Sequence, residues 1–157
     1  MAMGRRVTSK DCRFMVTKAE MRGIQGWFLK RLGCFSINQL SPSLSALRYA
    51  INLIEKGEQL VVFPEGKINK YGKEIILKEG LYRLARLATK KTESIIIVPI
   101  GIAYSEISPE FRGEFCLTFG QPIQMNDYLK LNIKEFNEFL NKKMLKAEKT
   151  ALKNVGR

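Results

Sequence analysis

The stretch "VVFPEGKINK", residues 61 to 70, joins the pattern of a buried strand to a rigid turn that carries one carboxylate. Pro64 fixes its own backbone and favours extended backbone at Phe63, and Gly66 permits a sharp turn. Glu65 is therefore held on a short, stiff segment directly after a strand. Ligands of α/β sheets bind outside the carboxyl ends of the strands, so Glu65 is a candidate ligand contact. The alternative is an ordinary strand-ending turn with a solvated glutamate.

Strands and helices alternate along the rest of the chain. We predict strands at residues 12–18, 34–38, 58–63, 94–104 and 113–120, helices at 19–33 and 41–57 and from about 77, and a lysine-rich helical tail at about 126–157. The strand "EQLVVF" is apolar enough to be buried on both faces, and "SIIIVPIGIAY" has the pattern of a central strand. This alternation predicts an α/β fold with a mixed, partly parallel sheet flanked by helices.

The composition indicates one globular domain over residues 1–157, since 45% of the residues are hydrophobic and 27% are charged. No stretch approaches the roughly 18 apolar residues of a membrane-spanning helix. The first ten residues lack the apolar core of a signal peptide. The three cysteines, Cys12, Cys34 and Cys116, are widely spaced. They predict reduced thiols, a cytosolic setting and no metal site.

The chain is strongly basic, with a formal net charge of +12. A field of this sign attracts polyanions such as nucleic acids and anionic lipid headgroups. The sequence has no helix-turn-helix pattern, aromatic RNA-binding strand or zinc-ligand spacing, so nucleic acid ranks last among the expected partners. Charge alone does not choose among the other polyanions.

The tail carries much of this charge. Between Lys130 and Arg157 there are eight Lys or Arg residues against three Glu. Apolar residues follow one another at helical spacing in the tail, at Leu140, Met144, Ala147 and Ala151. A basic amphipathic helix of this kind can lie on an anionic membrane. The narrow apolar stripe favours the alternative, a helix packed on the sheet with a solvated basic face.

The absence of histidine limits the chemistry of the chain. Without imidazole, the protein lacks the side chain best suited to act as a general base at neutral pH. A lysine or a carboxylate would need a strongly shifted pKa to replace it. The sequence accordingly offers no catalytic residue.

The ordered segments "LGCFSIN", "GEQLVVFPEGK", "LKEGLYRLA", "IIIVPIGIAY" and "FGQPI" resemble the glycerolipid acyltransferase family, which includes bacterial lysophosphatidic acid acyltransferase. The resemblance covers roughly Arg13 to Ile123. Members of that family carry four sequence blocks: a catalytic His-x-x-x-x-Asp, a glycine and strand usually ending in arginine, Phe-Pro-Glu-Gly followed by Thr-Arg-Ser, and a strand with a Val-Pro core. The resemblance implies the glycerol-3-phosphate acyltransferase-like fold, lacking its N-terminal part.

The third block is matched in full, and the resemblance implies that its glutamate helps to hold a glycerol phosphate acceptor. The fourth block is matched by Val98 and Pro99, which would shape the substrate pocket. The substrate-binding residues that the resemblance implies are Phe63, Pro64, Glu65, Gly66, Lys67 and Pro99.

Other positions agree with the family less fully. Gly33 and Ile37 match the second block, but Gln39 stands where an arginine is usual, and a glutamine cannot clamp a phosphate as a guanidinium does. Lys67 begins the segment that replaces Thr-Arg-Ser and would act as a point charge. Lys78 matches a lysine of the family and would be either a phosphate contact or a solvated surface residue.

The first block has no counterpart in this chain. Two hypotheses follow. One is an acyltransferase of phospholipid synthesis, N-terminally truncated before His-x-x-x-x-Asp and inactive in this form, which takes acyl groups from acyl-CoA or acyl-carrier protein and needs no other cofactor. The other is a non-catalytic acyl- or phosphate-binding relative at the membrane surface. For the acyltransferase, the expected acceptor is lysophosphatidic acid or a similar lysophospholipid, whereas the non-catalytic relative would hold an acyl or phosphate ligand without chemistry. Because an acyltransferase of this kind must reach a lipid acceptor, the resemblance also implies an anionic membrane surface as a partner and peripheral association with the inner face of a membrane.

Overall fold

The computed structural model describes residues 12–38, 43–67, 75–107 and 113–157. Its contacts divide the chain into two compact units, Met1–Glu93 and Ser94–Arg157. Each unit is described by itself below. The single domain over residues 1–157 stays a prediction.

The first unit is built on a parallel sheet. Its strands are β1 (Cys12–Thr17), β2 (Cys34–Ile37) and β3 (Gln59–Val62), in the order β2-β1-β3. Phe14 of the central strand lies between Cys34 and Val61 of its neighbours. Because all three strands run in the same direction, their carboxyl ends lie at one edge of the sheet.

Helices cover both faces of this sheet. They are a 3-10 turn (Lys18–Met21), α1 (Gly23–Arg31), α2 (Leu44–Glu55) and α3 (Gly80–Ala88). The end of α1 packs Leu29 and Leu32 against the face that carries Phe14. Neighbouring residues of a strand point to opposite faces, so Phe35 belongs to the other face, where its ring lies 4.9 Å from the ring of Tyr49 on α2. The predicted α/β sheet flanked by helices is confirmed.

Three details of the first unit differ from the prediction. The helix predicted at 19–33 is interrupted by Arg22, whose backbone is extended (φ −100°, ψ 151°) between the 3-10 turn and α1. The helix predicted from about 77 begins at Gly80, after a buried Leu77. The strand β3 is half-buried along its length rather than buried on both faces, because a short strand with one described strand neighbour is incompletely covered.

The helix α2 begins at a side-chain N-cap. Ser43 caps it by accepting a hydrogen bond from the backbone N–H of Ala46 at 3.2 Å. Ala50 and Leu53 are buried on its inner face. The predicted start at residues 41–42 lies outside the described residues.

The second unit contains two strand pairs and a long helix. Its elements are β4 (Ile96–Ile97), β5 (Ile100–Tyr104), β6 (Phe115–Phe119), β7 (Ile123–Gln124), a 3-10 turn (Met125–Tyr128) and α4 (Ile133–Asn154). The strand β4 pairs antiparallel with β7, and β5 pairs antiparallel with β6. Asn132 and Glu135 form a capping box that starts α4.

The prediction of one central strand over 94–104 is wrong. The segment divides into β4 and β5, which belong to different strand pairs. The break falls at Pro99, because proline has no N–H to continue a ladder. Its carbonyl still accepts a hydrogen bond from the N–H of Gly120 at 2.8 Å. Ile96 is 61% exposed, which a central strand would not allow.

The helix α4 packs on β5 and β6 with its apolar stripe. Leu140, Ala147 and Ala151 are buried there. The alternative of a packed terminal helix is therefore confirmed within the second unit. The solvated face of α4 carries Lys142, Lys146, Lys149 and Lys153.

The packing of α4 predicts that Gly101→Ala destabilises the protein. A Cβ atom at Gly101 would overlap the backbone of Ala147 and Glu148, so α4 would have to move away from β5. We expect a loss of about 1–3 kcal/mol in the free energy of unfolding, measured by urea denaturation. The matched control is Gly80→Ala, since a Cβ atom there meets nothing within 4 Å. Equal stability of the two variants would contradict the close packing of α4.

Candidate functional site

The segment after β3 forms a closed turn that presents Glu65. The carbonyl of Phe63 accepts a hydrogen bond from the N–H of Gly66 at 3.1 Å, with Pro64 and Glu65 at the centre of the turn. Gly66 has a positive φ of 65°, a conformation that glycine adopts without strain. Pro64 is buried and Glu65 is half-buried, so the turn packs against the protein through Pro64.

A second backbone hydrogen bond ties this turn to the segment before α3. The N–H of Lys78 donates to the carbonyl of Pro64 at 2.7 Å. The side chains of Lys67 and Lys78 are both exposed. One carboxylate and two ammonium groups therefore belong to the same part of the carboxyl edge of the sheet, which is where α/β proteins bind ligands. Such a set suits a ligand with both hydroxyl and phosphate groups.

The sequence did not predict an open groove beside β2. The groove holds about 400 Å³ and is lined in part by Lys30, Ser36, Ser43, Ser45 and Tyr49. Hydroxyl groups and one ammonium group make it a polar surface with several hydrogen-bond donors. The one feature of the sequence that relates to this groove is the serine-rich run "SPSLS". Taken alone, this run predicts only a helix cap.

The predicted site residues fall into two groups. Phe63 to Lys67 lie together on the turn after β3, with Phe63 45% exposed. Pro99 belongs to the second unit, where it is buried between β4 and β5. Gln39 lies outside the described residues. The first group therefore lies together on one turn, and the substrate-binding role of both groups stays a prediction.

The described parts of the chain, 12–38, 43–67, 75–107 and 113–157, contain no group of three or more metal-ligating residues. Cys12 and Cys34 form no disulfide and are buried in the apolar core with Phe14, where the Cys12 thiol donates a hydrogen bond to Oε1 of Gln59 at 3.1 Å. Within the same residues, no helix is both long and apolar enough to cross a bilayer.

The fold resembles a solved enzyme structure. The 1-acyl-sn-glycerophosphate (LPA) acyltransferase PlsC from Thermotoga maritima matches with a TM-score of 0.63 and 17% identity, over 94% of this chain and 58% of that chain. The predicted fold of the glycerol-3-phosphate acyltransferase-like type is confirmed by this similarity.

Two proteins named 1-acyl-sn-glycerol-3-phosphate acyltransferase are similar in sequence. The protein from Streptococcus pneumoniae is 29% identical over 110 residues, which are 69% of this chain and 39% of that protein. The protein from Bacillus subtilis is 26% identical over 129 residues, which are 78% of this chain and 61% of that protein. This chain thus spans less than two thirds of the length of either relative.

A family model described as acyltransferase matches residues 1–103. The matched region contains all three strands of the parallel sheet, the turn with Glu65 and the break at Pro99. It is more than half of the 157 residues. The chain therefore belongs to the acyltransferase family, as its resemblance in the second, third and fourth sequence blocks predicted.

Proposed function

We propose that this chain holds the acceptor in a glycerolipid acyltransferase of phospholipid synthesis. The reaction moves a fatty acyl group from a thioester, acyl-CoA or acyl-carrier protein, to a hydroxyl of lysophosphatidic acid or a similar lysophospholipid. The observation that carries the proposal is the half-buried Glu65 on a closed turn at the carboxyl edge of a parallel sheet. The family, and relatives whose names state this reaction, support it.

The reaction requires an acceptor hydroxyl, a thioester and a general base. The acceptor oxygen attacks the thioester carbonyl carbon, the C–S bond breaks, and the thiol leaves with the proton that the hydroxyl has lost. A general base must carry that proton. This chain contains no histidine, so its own residues are assigned to binding and the base is not among them.

The turn provides complementary contacts for an acceptor of this kind. The Glu65 carboxylate can accept hydrogen bonds from glycerol hydroxyls. Lys67 and Lys78 are exposed cations beside the same turn and can attract the phosphate group as point charges. The buried Pro64 limits the movement of the backbone that carries Glu65, so little backbone freedom is lost on binding.

The second candidate is a non-catalytic acyl- or phosphate-binding relative. The observation that favours it is the same absence of histidine. Both candidates operate on lipid and therefore place the protein peripherally at the cytoplasmic face of a membrane. They differ in whether a longer form of the chain performs acyl transfer.

Acceptor binding by the isolated chain tests the proposal directly. Equilibrium dialysis against radiolabelled lysophosphatidic acid, below its micelle concentration, should give saturable binding at one site. Glycerol 3-phosphate should compete, because it presents the same hydroxyl and phosphate groups. Lysophosphatidylcholine should compete less well, since its choline group screens the phosphate from the lysines. Absence of saturable binding would contradict both candidates that use this turn for an acceptor.

A further inference from the structure

The helix α1 directs an apolar face toward solvent. Ile24 is 87% exposed, Trp27 is 56% exposed and Phe28 is 57% exposed. These residues are spaced three and four apart, so they form one surface on consecutive turns of the helix. The opposite side of the same helix carries Leu29, which packs in the core of the first unit. The helix is thus apolar on two sides. Only the side with Leu29 packs on the sheet, and the other side is exposed to solvent.

Basic residues flank α1 in the sequence and also lie within it. Lys18, Arg22, Lys30 and Arg31 are all exposed. The Arg31 guanidinium lies 4.2 Å from the centre of the Trp27 ring, a cation–π contact that holds a positive charge directly over the aromatic surface. The single acid in this part of the chain, Glu20, accepts a hydrogen bond from the side chain of Gln25 at 3.1 Å. The apolar face is therefore bordered by an excess of positive charge.

We propose that α1 is a membrane contact, with Ile24, Trp27 and Phe28 entering the boundary between headgroups and acyl chains of an anionic bilayer. Tryptophan favours this boundary, and apolar neighbours deepen the contact. The surrounding lysines and arginines keep their charged ends at the level of the lipid phosphates. This inference rests on the proposed function, because a lysophospholipid acceptor resides in such a bilayer.

Charge complementarity is the reason to choose a lipid surface over a protein partner. A protein segment covering the same apolar face would remove at least Arg31 from water, since that guanidinium lies over Trp27. Burial of a charge is costly unless an anion accompanies it. A bilayer supplies phosphate groups around the whole border of the face at once.

The basic face of α4 is a less suitable insertion surface. Its lysines are accompanied by Leu145, which is only 38% exposed. The apolar stripe of that helix is already packed on β5 and β6. The helix α4 therefore offers charge without an exposed apolar face, whereas α1 has apolar side chains that can enter a bilayer.

The single tryptophan of the chain makes insertion directly measurable. The purified protein is mixed with vesicles of phosphatidylcholine and phosphatidylglycerol. We expect the Trp27 emission to shift to the blue and to be quenched by lipids brominated on their acyl chains. Pure phosphatidylcholine vesicles or high salt should weaken binding, since the basic border then loses its attraction. An unchanged emission of vesicle-bound protein would overturn the proposal, because the contact would then lie elsewhere.

Variants test whether the exposed face of α1 is the surface that binds vesicles. The double variant Ile24→Ser and Phe28→Ser should lower the vesicle partition coefficient by about tenfold or more, because two large apolar side chains are removed from the contact. The matched control is Leu44→Ser on α2, a side chain that is 71% exposed. It should leave partitioning unchanged. Equal loss in both variants, or no loss in either while circular dichroism shows a folded protein, would overturn the proposal.

Two outcomes separate this inference from the proposed function. Saturable acceptor binding in dialysis, without any vesicle binding, overturns the membrane role of α1 alone and leaves the turn with Glu65 as the acceptor site. Vesicle binding through Trp27 without acceptor binding supports the contact made by α1 and overturns the acceptor site. If the wild-type chain binds no vesicles and light scattering shows a dimer, the proposal is overturned, and a second copy of the chain is the occupant to test for the exposed face of α1.

Discussion

No thiol release is expected when the purified chain of 157 residues is mixed with acyl-CoA and lysophosphatidic acid. The acceptor hydroxyl must lose a proton as it attacks the thioester, and a positioned general acid–base group is typically worth about 10² to 10⁴ in rate. The chain has no histidine to provide it. The measurement is a thiol-trapping assay, with a histidine-containing relative as the positive control.

Turnover above the rate without enzyme would show that another side chain can replace the imidazole. A chimera provides the complementary experiment. An N-terminal segment that carries His-x-x-x-x-Asp, taken from a relative, is joined ahead of β1. Recovered turnover would favour the acyltransferase over the non-catalytic candidate, because it would show that the described fold still supports the reaction.

Replacement of Glu65 by glutamine should weaken acceptor binding by about 5- to 15-fold. Hydrogen bonds to a charged group contribute about 1.5–3 kcal/mol and those between neutral groups about 0.5–1.5 kcal/mol, and glutamine keeps a carbonyl acceptor while removing the charge. Dialysis with labelled lysophosphatidic acid gives the dissociation constants. The matched control is Glu55→Gln at the exposed end of α2, which should bind like the unaltered protein.

Thermal unfolding distinguishes a binding role of Glu65 from a structural one. The turn itself is closed by backbone hydrogen bonds from Gly66 and Lys78, so Glu65→Gln should leave the protein folded, with a single cooperative melting transition. Unchanged affinity together with unchanged stability would mean that Glu65 is an ordinary residue of a strand-ending turn.

The turn after β3 could be predicted because its geometry is local. Pro64 and Gly66 impose their backbone preferences on the four residues of the turn whatever surrounds them. The start of α4 has an equally local cause, an asparagine followed three residues later by a glutamate, although the helical tail was predicted from about residue 126 and α4 begins at Ile133. In both cases the local backbone structure is determined by a few consecutive residues.

Features that depend on distant residues were not predictable in this way. The run "SIIIVPIGIAY" is almost entirely apolar. Its pattern therefore does not predict that β4 and β5 pair with different strands. The apolar residues of α1 lie on two sides of the helix, and only the packing of Leu29 beside Phe14 decides which side is core. The groove beside β2 likewise combines residues from separate elements.

The central position of β1 affects how the protein can emerge from the ribosome. Cys12 aligns with Gln59, 47 residues later in the chain. At synthesis rates of about 5–20 residues per second, roughly 2–10 seconds pass between the appearance of β1 and that of its partner β3. During this interval one edge of an apolar strand lacks its native neighbour, which makes this nascent chain a natural client for chaperones that shield β-edges.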